Sequence, residues 1–331
     1  MKRFLKHIIF FLIPFLIYAA LVLSLDIFKI FNDYDNYYDS DITTLNRTFV
    51  STKIYLKHKD SMQYNAFIFG SSRSQAFKTD KWKQYLLNGV VPFHYDAHSE
   101  DLYGIFKKIE FLDAQQTNIK HALVVIDRST LAGIKKRDHH LYINPLEFND
   151  VSKFEFYSSY IKANLNPRFM IAYTDFSINK KHRGYMKTLV REDKYPDSFI
   201  PIYNDSYYGM AREIEEDSLG YYKKLLERNV FYKRPGVSKV DLVKTDNEVQ
   251  LLINIKSIFN KHQTGYKIVI SPLYDQIPME DEQLQLLHTI FGQENIFDFS
   301  GKNKFTEPIS NYFESSHYKP SVANTILDSI Y

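Results

Sequence analysis

"NAFIFGSSRSQAF", residues 65–77, decides how this chain is read. Ala66–Gly70 is a short run of apolar and aromatic residues, the pattern of a buried strand, and Ser71, Ser72 and Arg73 follow it directly. Small polar residues are the usual way out of a strand, so Gly70-Ser71-Ser72 reads as a turn. It is equally where a nucleophile would stand in the open. The segment from about Gln75 to Leu87 is expected to be helical.

The pattern repeats outward from this stretch. "VPFHYDA" (91–97) reads as a second strand. Ser99 is expected to cap a helix, with Glu100 and Asp101 in its first turn and Leu102, Ile105, Phe106, Ile109 and Leu112 on one face. "HALVVID" (121–127) is a third strand, ending on Asp127. Residues from about 128 to 235 are less regular, hold "IKKRDHH", "NKKHRGYMK" and many tyrosines, and read as an insertion or cap. A helix near 241–262, the strand "YKIVISP" (266–272), a helix near 280–291, the strand "IFDFS" (296–300) and a helix from about Pro320 restore the rhythm. This alternation predicts an α/β fold, a parallel sheet with helices on both faces. Ligands of such sheets bind at the carboxyl ends of the strands, where Gly70-Ser71-Ser72, Asp127 and Ser271-Pro272 fall.

The N-terminus predicts a location. Lys2, Arg3, Lys6 and His7 precede an apolar run from Ile8 to Leu25, roughly the 18–20 residues that cross a hydrocarbon core. The basic flank should stay in the cytoplasm and send the remainder outward. The run is longer than a signal-peptide core, and "YAALVLSLDIF" offers no convincing small-x-small cleavage site, which favours an uncleaved signal anchor over a cleaved signal. Pro14 is tolerated in a membrane helix. The expected organisation is an anchor over 1–30, a stalk or lead-in over 31–60, and an α/β domain over 61–331 carrying the insertion at about 128–235.

Composition narrows the function. A net charge of +3 over 331 residues gives no field that argues for nucleic acid. The absence of cysteine excludes disulfides, thiol catalysis and thiolate metal sites. The 26 tyrosines suggest a Tyr-rich surface. His94, His98, His139 and His140 lack carboxylates at metal-ligand spacing, and no glycine-rich phosphate loop follows a strand, so neither a metal nor a cofactor is expected. The basic clusters at 135–137 and 180–183 read as solvated loop faces, with contact to anionic headgroups or envelope polymer as the other reading.

A serine hydroxyl becomes a nucleophile when a base takes its proton and a carboxylate fixes that base. "NYFESSHYKPSVANTIL" (311–327) supplies Glu314 and His317, three residues apart and just before the last helix, which returns them to the carboxyl edge of the sheet.

A strand ending in Gly-x-Ser near the start, with acid-x-x-His before a C-terminal helix, resembles the SGNH/GDSL hydrolase superfamily over about 64–127 and 240–331. The resemblance implies a flavodoxin-like three-layer parallel sheet. It implies Ser72 as nucleophile with Ser71 in place of the usual Asp, His317 as base, and Glu314 as the orienting acid, where the family normally has Asp. Ser71, Arg73 and Asp127 are supporting or substrate-binding candidates, and Arg73 reads equally as a surface residue or as a clamp for a substrate carboxylate. The family's oxyanion hole draws on the nucleophile's N–H, a glycine after the second strand and an asparagine after the third. Here "YDAHSEDLYG" and "VVIDRST" carry neither at the expected place, and a lost donor costs roughly 3–4 kcal/mol of transition-state stabilisation.

The function implied is an extracytoplasmic serine-dependent O-acyltransferase or esterase acting on a cell-envelope polysaccharide. It would be held in the cell membrane by a single helix and work beside a multi-spanning membrane acyltransferase. The expectation from another class is a non-catalytic tethered accessory protein that binds a glycan or a partner through the Tyr-rich middle section.

Overall fold

Successive residues of the first strand part to opposite sides in the computed structural model, which describes residues 2–38, 43–186, 189–190, 197–234 and 245–331. β1 (Ala66–Gly70) sends Phe67 and Phe69 into one apolar cluster and Ala66 and Ile68 into another. This is the two-residue period of a strand buried on both faces. β2 (Pro92–Asp96), β3 (His121–Ile126), β4 (Gly265–Ile270) and β5 (Ile296–Asp298) complete a five-stranded parallel sheet in the order β2-β1-β3-β4-β5.

Among the helices are α1 (Lys2–Leu25), α2 (Arg47–Met62), α3 (Leu102–Ala114), α4 (Asp246–Lys261), α5 (Asp281–Phe291) and α6 (Pro320–Ile330). Helices α2 to α5 join Phe67, Phe69, Val124 and Ile268 on one face. On the other, Val322, Ala323, Ile326 and Leu327 of α6 pack with Trp82, Ile68 and Val125. The fold is therefore α/β with helices on both sides of a parallel sheet. The chain leaves β1 for β2 on one side and returns to β3 on the other, so the carboxyl ends of β1 and β3 flank the crevice where such sheets bind ligands.

Several local expectations are corrected. The region after β1 is a 3₁₀ turn (Ser72–Ala76) and a short helix (Thr79–Lys83) rather than one helix to Leu87. Ser74, Gln75, Lys78 and Thr79 are buried there, so polar side chains face inward where a long amphipathic helix would need apolar ones. Asp101, not Ser99, caps α3, its carboxylate accepting the Gly104 N–H at 2.9 Å. Expected helix residues 241–244 lie outside the described residues; Thr245 caps α4.

Much of the expected stalk is helix α2, whose Phe49, Val50, Ile54 and Tyr55 belong to the main core. Its buried face also holds Arg47, Thr48, Ser51 and Thr52, which is why no apolar period shows. The α/β core thus begins before residue 61. The tyrosines are not mainly a surface feature: Tyr37, Tyr55, Tyr64, Tyr95, Tyr160, Tyr274, Tyr312 and Tyr318 are all buried. Buried hydroxyls find partners, as Tyr95 does in Thr52 at 2.8 Å.

The middle section contains helices Lys153–Asn164 and Pro167–Asn179, an antiparallel ribbon of Ser198–Ile200 with Asp205–Tyr207, and helices Met210–Glu216 and Ser218–Glu227. Among the described residues no helix is long and apolar enough to cross a membrane; the side chains of Leu5, Ile8, Ile9 and Phe15 of α1 lie outside them.

Candidate functional site

Gly70 ends β1 at φ +154°, and a Cβ there would lie 2.6 Å from the Val125 carbonyl oxygen and 2.9 Å from Ser74 Cβ. Only glycine lets the chain turn so close to β3. Ser71 caps the 3₁₀ turn, its Oγ accepting the Arg73 N–H at 3.4 Å. Ser72 opens that turn half-buried, and its backbone N–H has no acceptor among the described residues, as expected at a helix start.

The opposite wall is a two-stranded hairpin, Tyr312–Glu314 against His317–Tyr318. Buried Tyr312 and Tyr318 root it, the Tyr312 hydroxyl donating to the Pro272 carbonyl at 3.0 Å. The hairpin brings His317 Nε2 to 2.8 Å from Ser72 Oγ, while Nδ1 bonds the Glu314 carboxylate. The second Glu314 oxygen accepts the Ser316 N–H at 2.8 Å. Burial alone would push the Glu314 carboxyl up, but the bonds from His317 and Ser316 outweigh it and hold the group below its ordinary value. An anionic acceptor at Nδ1 keeps the proton on that nitrogen and leaves the Nε2 lone pair free to accept from Ser72.

Arg73 closes the arrangement. Its Nη1 donates to Asp127 Oδ2 at 2.6 Å and to Ser129 Oγ at 3.2 Å, and its Nε donates to the Ser316 carbonyl at 3.3 Å. One guanidinium thus ties the serine turn, the end of β3 and the His317 hairpin together. Asp127 is buried and caps helix Arg128–Ala132 through the N–H groups of Ser129 (2.8 Å) and Thr130 (3.1 Å). Burial pushes its carboxyl up, but Arg73 and the bonds from Ser129 and Thr130 bring it below the ordinary range.

Sequence reasoning missed Tyr208. Its hydroxyl donates to the Ser72 carbonyl at 3.0 Å, and its ring lies 5.1 Å from the His317 ring and 5.4 Å from Phe313. No motif marks it within the irregular middle section. Ser72, Arg73, Ser99, Asp101, Arg137 and His317 line a cavity of about 410 Å³. Ser99 follows β2 there at φ +49°, a left-handed conformation usually filled by glycine. Asp101 accepts from Arg137 Nε at 3.0 Å, yet burial and neighbouring Glu100 push its carboxyl up to about 6. Both arginines at the opening are paired, Arg73 with Asp127 and Arg137 with Asp101, and Glu100 also lines it.

Beneath this layer runs a buried polar network. Arg47 pairs with Asp96 at 3.0 Å, and Gln75 Nε2 donates to the same carboxylate at 2.6 Å. Burial pushes Asp96 up, but Arg47 holds it far below the usual carboxylate range. A second serine–histidine–aspartate line joins Ser74 Oγ to His94 Nε2 at 3.0 Å and His94 Nδ1 to Asp205 Oδ1 at 3.2 Å. All three residues are buried, and Ser74 Oγ also lies 2.7 Å from the Ser71 carbonyl. This line fastens the serine turn to the 205–207 strand. Among the described residues no cluster of three or more His, Asp or Glu is arranged to hold a metal ion.

No protein-family model matches the sequence, and no curated protein is similar enough to match it.

Proposed function

We propose that this protein is an extracytoplasmic serine-dependent O-acyltransferase or esterase acting on a cell-envelope polysaccharide, with an SGNH-like fold. The observation that carries the reading is the Ser72–His317–Glu314 relay, a hydroxyl 2.8 Å from an imidazole whose other nitrogen meets a carboxylate. The strand order β2-β1-β3-β4-β5 supports the flavodoxin-like arrangement the resemblance implies.

Ser72 Oγ attacks the acyl carbonyl carbon as its proton passes to His317 Nε2, and Glu314 stabilises the resulting imidazolium. The N–H of Ser72 is one donor for the oxyanion. Collapse expels the leaving alkoxide, which takes the proton from Nε2, and the acyl group remains as an ester on Ser72. A sugar hydroxyl, or water in an esterase, then repeats the sequence with His317 as base and frees Ser72. The cavity beside Ser72 gives an acceptor sugar a place to sit next to the ester, where it competes with water.

Helix α1 would anchor this domain outside the membrane. It runs 24 residues, and Phe10, Phe11, Leu16, Ile17, Leu21 and Leu23 are exposed on it. That exposure costs little in lipid and much in water.

Incubating the full chain with an activated acetyl ester and digesting it tests the chemistry. The reading requires an acetyl mass increment on the peptide holding Ser72, absent in His317→Ala.

A further inference from the structure

Two helices of the middle section present apolar side chains to the outside. On Lys153–Asn164, Phe154 is 82% and Ile161 48% exposed; on Pro167–Asn179, Ile171 is 61% and Ile178 73% exposed. Each pair is seven residues apart, so each lies on one helical face, and Leu165 between the helices is 57% exposed. Elsewhere Leu219 pairs with Leu226 (51%) on the helix Ser218–Glu227, and exposed Leu87 stands singly, which needs no explanation. A grouped patch does.

The patch adjoins α1. Tyr18, Val22 and Leu23 of α1 face Tyr157 and Ile161 across an apolar cavity of about 290 Å³. Phe31 stacks on Tyr157 at 5.9 Å, and Phe28 on Phe169 at 5.4 Å. At about 1.5 Å per residue, Tyr18–Leu23 occupies the last ~10 Å of the apolar run that ends at Leu25. A helix packed there stands at the depth where acyl chains meet headgroups. Residues 153–183 also carry six Lys and Arg against two acidic residues, and both acidic ones are paired, Glu155 with Lys136 at 2.9 Å and Asp175 with Arg183 at 3.1 Å. Apolar residues flanked by basic ones suit an interfacial helix.

We infer that the helical pair 153–179 lies in the outer headgroup boundary of the bilayer, through Phe154, Ile161, Leu165, Ile171 and Ile178. This rests on reading α1 as the membrane anchor. The domain then sits on the lipid surface at two places, and the Ser72 cavity keeps a fixed height above it instead of swinging on a tether.

The cysteine-free chain makes the test direct. Single-cysteine variants of the full chain at Phe10, Phe154, Ile178, Leu87 and Leu219 are labelled with an environment-sensitive fluorophore. The proteins are reconstituted in vesicles of phosphatidylcholine and phosphatidylglycerol, and quenching by lipid-borne and by aqueous quenchers is compared. Labels at 10, 154 and 178 should be quenched from the lipid, and those at 87 and 219 from water, with at least a several-fold contrast. Aqueous quenching at 154 and 178 with lipid quenching at 10 overturns the inference and leaves the anchor standing. Shielding of 154 and 178 from both quenchers means a protein partner covers the patch, which also overturns it. Aqueous quenching at 10 removes the anchor, and the inference with it.

Discussion

His317 Nε2 stands 2.8 Å from Ser72 Oγ although 245 positions separate them in the chain. The contact joins the carboxyl end of β1 to a hairpin rooted by Tyr312 and Tyr318. Its tautomer depends on Glu314. Glu314→Gln can offer its amide N–H₂ to Nδ1, which moves the proton to Nε2 and leaves no acceptor for the serine. Acylation of Ser72 should fall by roughly 10²–10⁴-fold, with thermal stability close to that of the parent. A rate within twofold of the parent in stopped-flow acylation would show that Glu314 does not set the tautomer.

Tyr208 touches the nucleophile's carbonyl and the base's ring together. Tyr208→Phe removes the hydroxyl but keeps the ring. The lost hydrogen bond, worth about 0.5–1.5 kcal/mol, should slow acylation by roughly 2- to 12-fold and leave the pH profile in place. Tyr208→Ala should cost more, because His317 loses its packing. Equal rates in the two variants would count against a role for the ring.

Arg47 and Asp96 are both buried, 3.0 Å apart. Arg47→Ala removes the salt-bridge partner of Asp96 and leaves it the hydrogen bonds from Gln75 and Asn204. Breaking a buried pair from one side costs about 3–5 kcal/mol, so the urea midpoint should drop accordingly. An unchanged midpoint would mean that the pair contributes little.

Asp101 makes stability depend on pH. Its carboxyl rises from 3.8 to about 6 on folding, through burial and then the charge of Glu100. Between those values the native chain holds a proton that the unfolded chain releases, so stability from this group is full below 3.8 and is lost as pH rises through about 6. Asp101→Asn keeps a capping oxygen for Gly104 and lacks the proton. Relative to this variant, the parent should lose stability between pH 4 and 7 in urea titrations; parallel curves would refute the assignment.

The sheet was legible because strands buried on both faces read as short apolar runs, and AFIFG, HALVVI and YKIVI stand out as such. The meeting of Ser72 with His317 was legible for a related reason: strand ends and the segment before the last helix converge on one edge. Helix α2 was not legible, since it buries Arg47 and Thr52 against partners found only across the fold, Asp96 and Tyr95. Tyr208 escaped for the same reason, as did the inward side chains after Ser72. Short-range pattern reports apolar burial; it is blind to polar groups whose burial is satisfied from far away.

The central claim is that Ser72 is a nucleophile activated by His317. Treating the purified full chain, Ser72→Ala and His317→Ala with a fluorophosphonate probe tests it most directly. Covalent labelling of the parent is expected, with none of Ser72→Ala and at most trace labelling of His317→Ala, all three equally folded. Labelling of Ser72→Ala at the parent's rate, or no labelling of a folded parent, would contradict it.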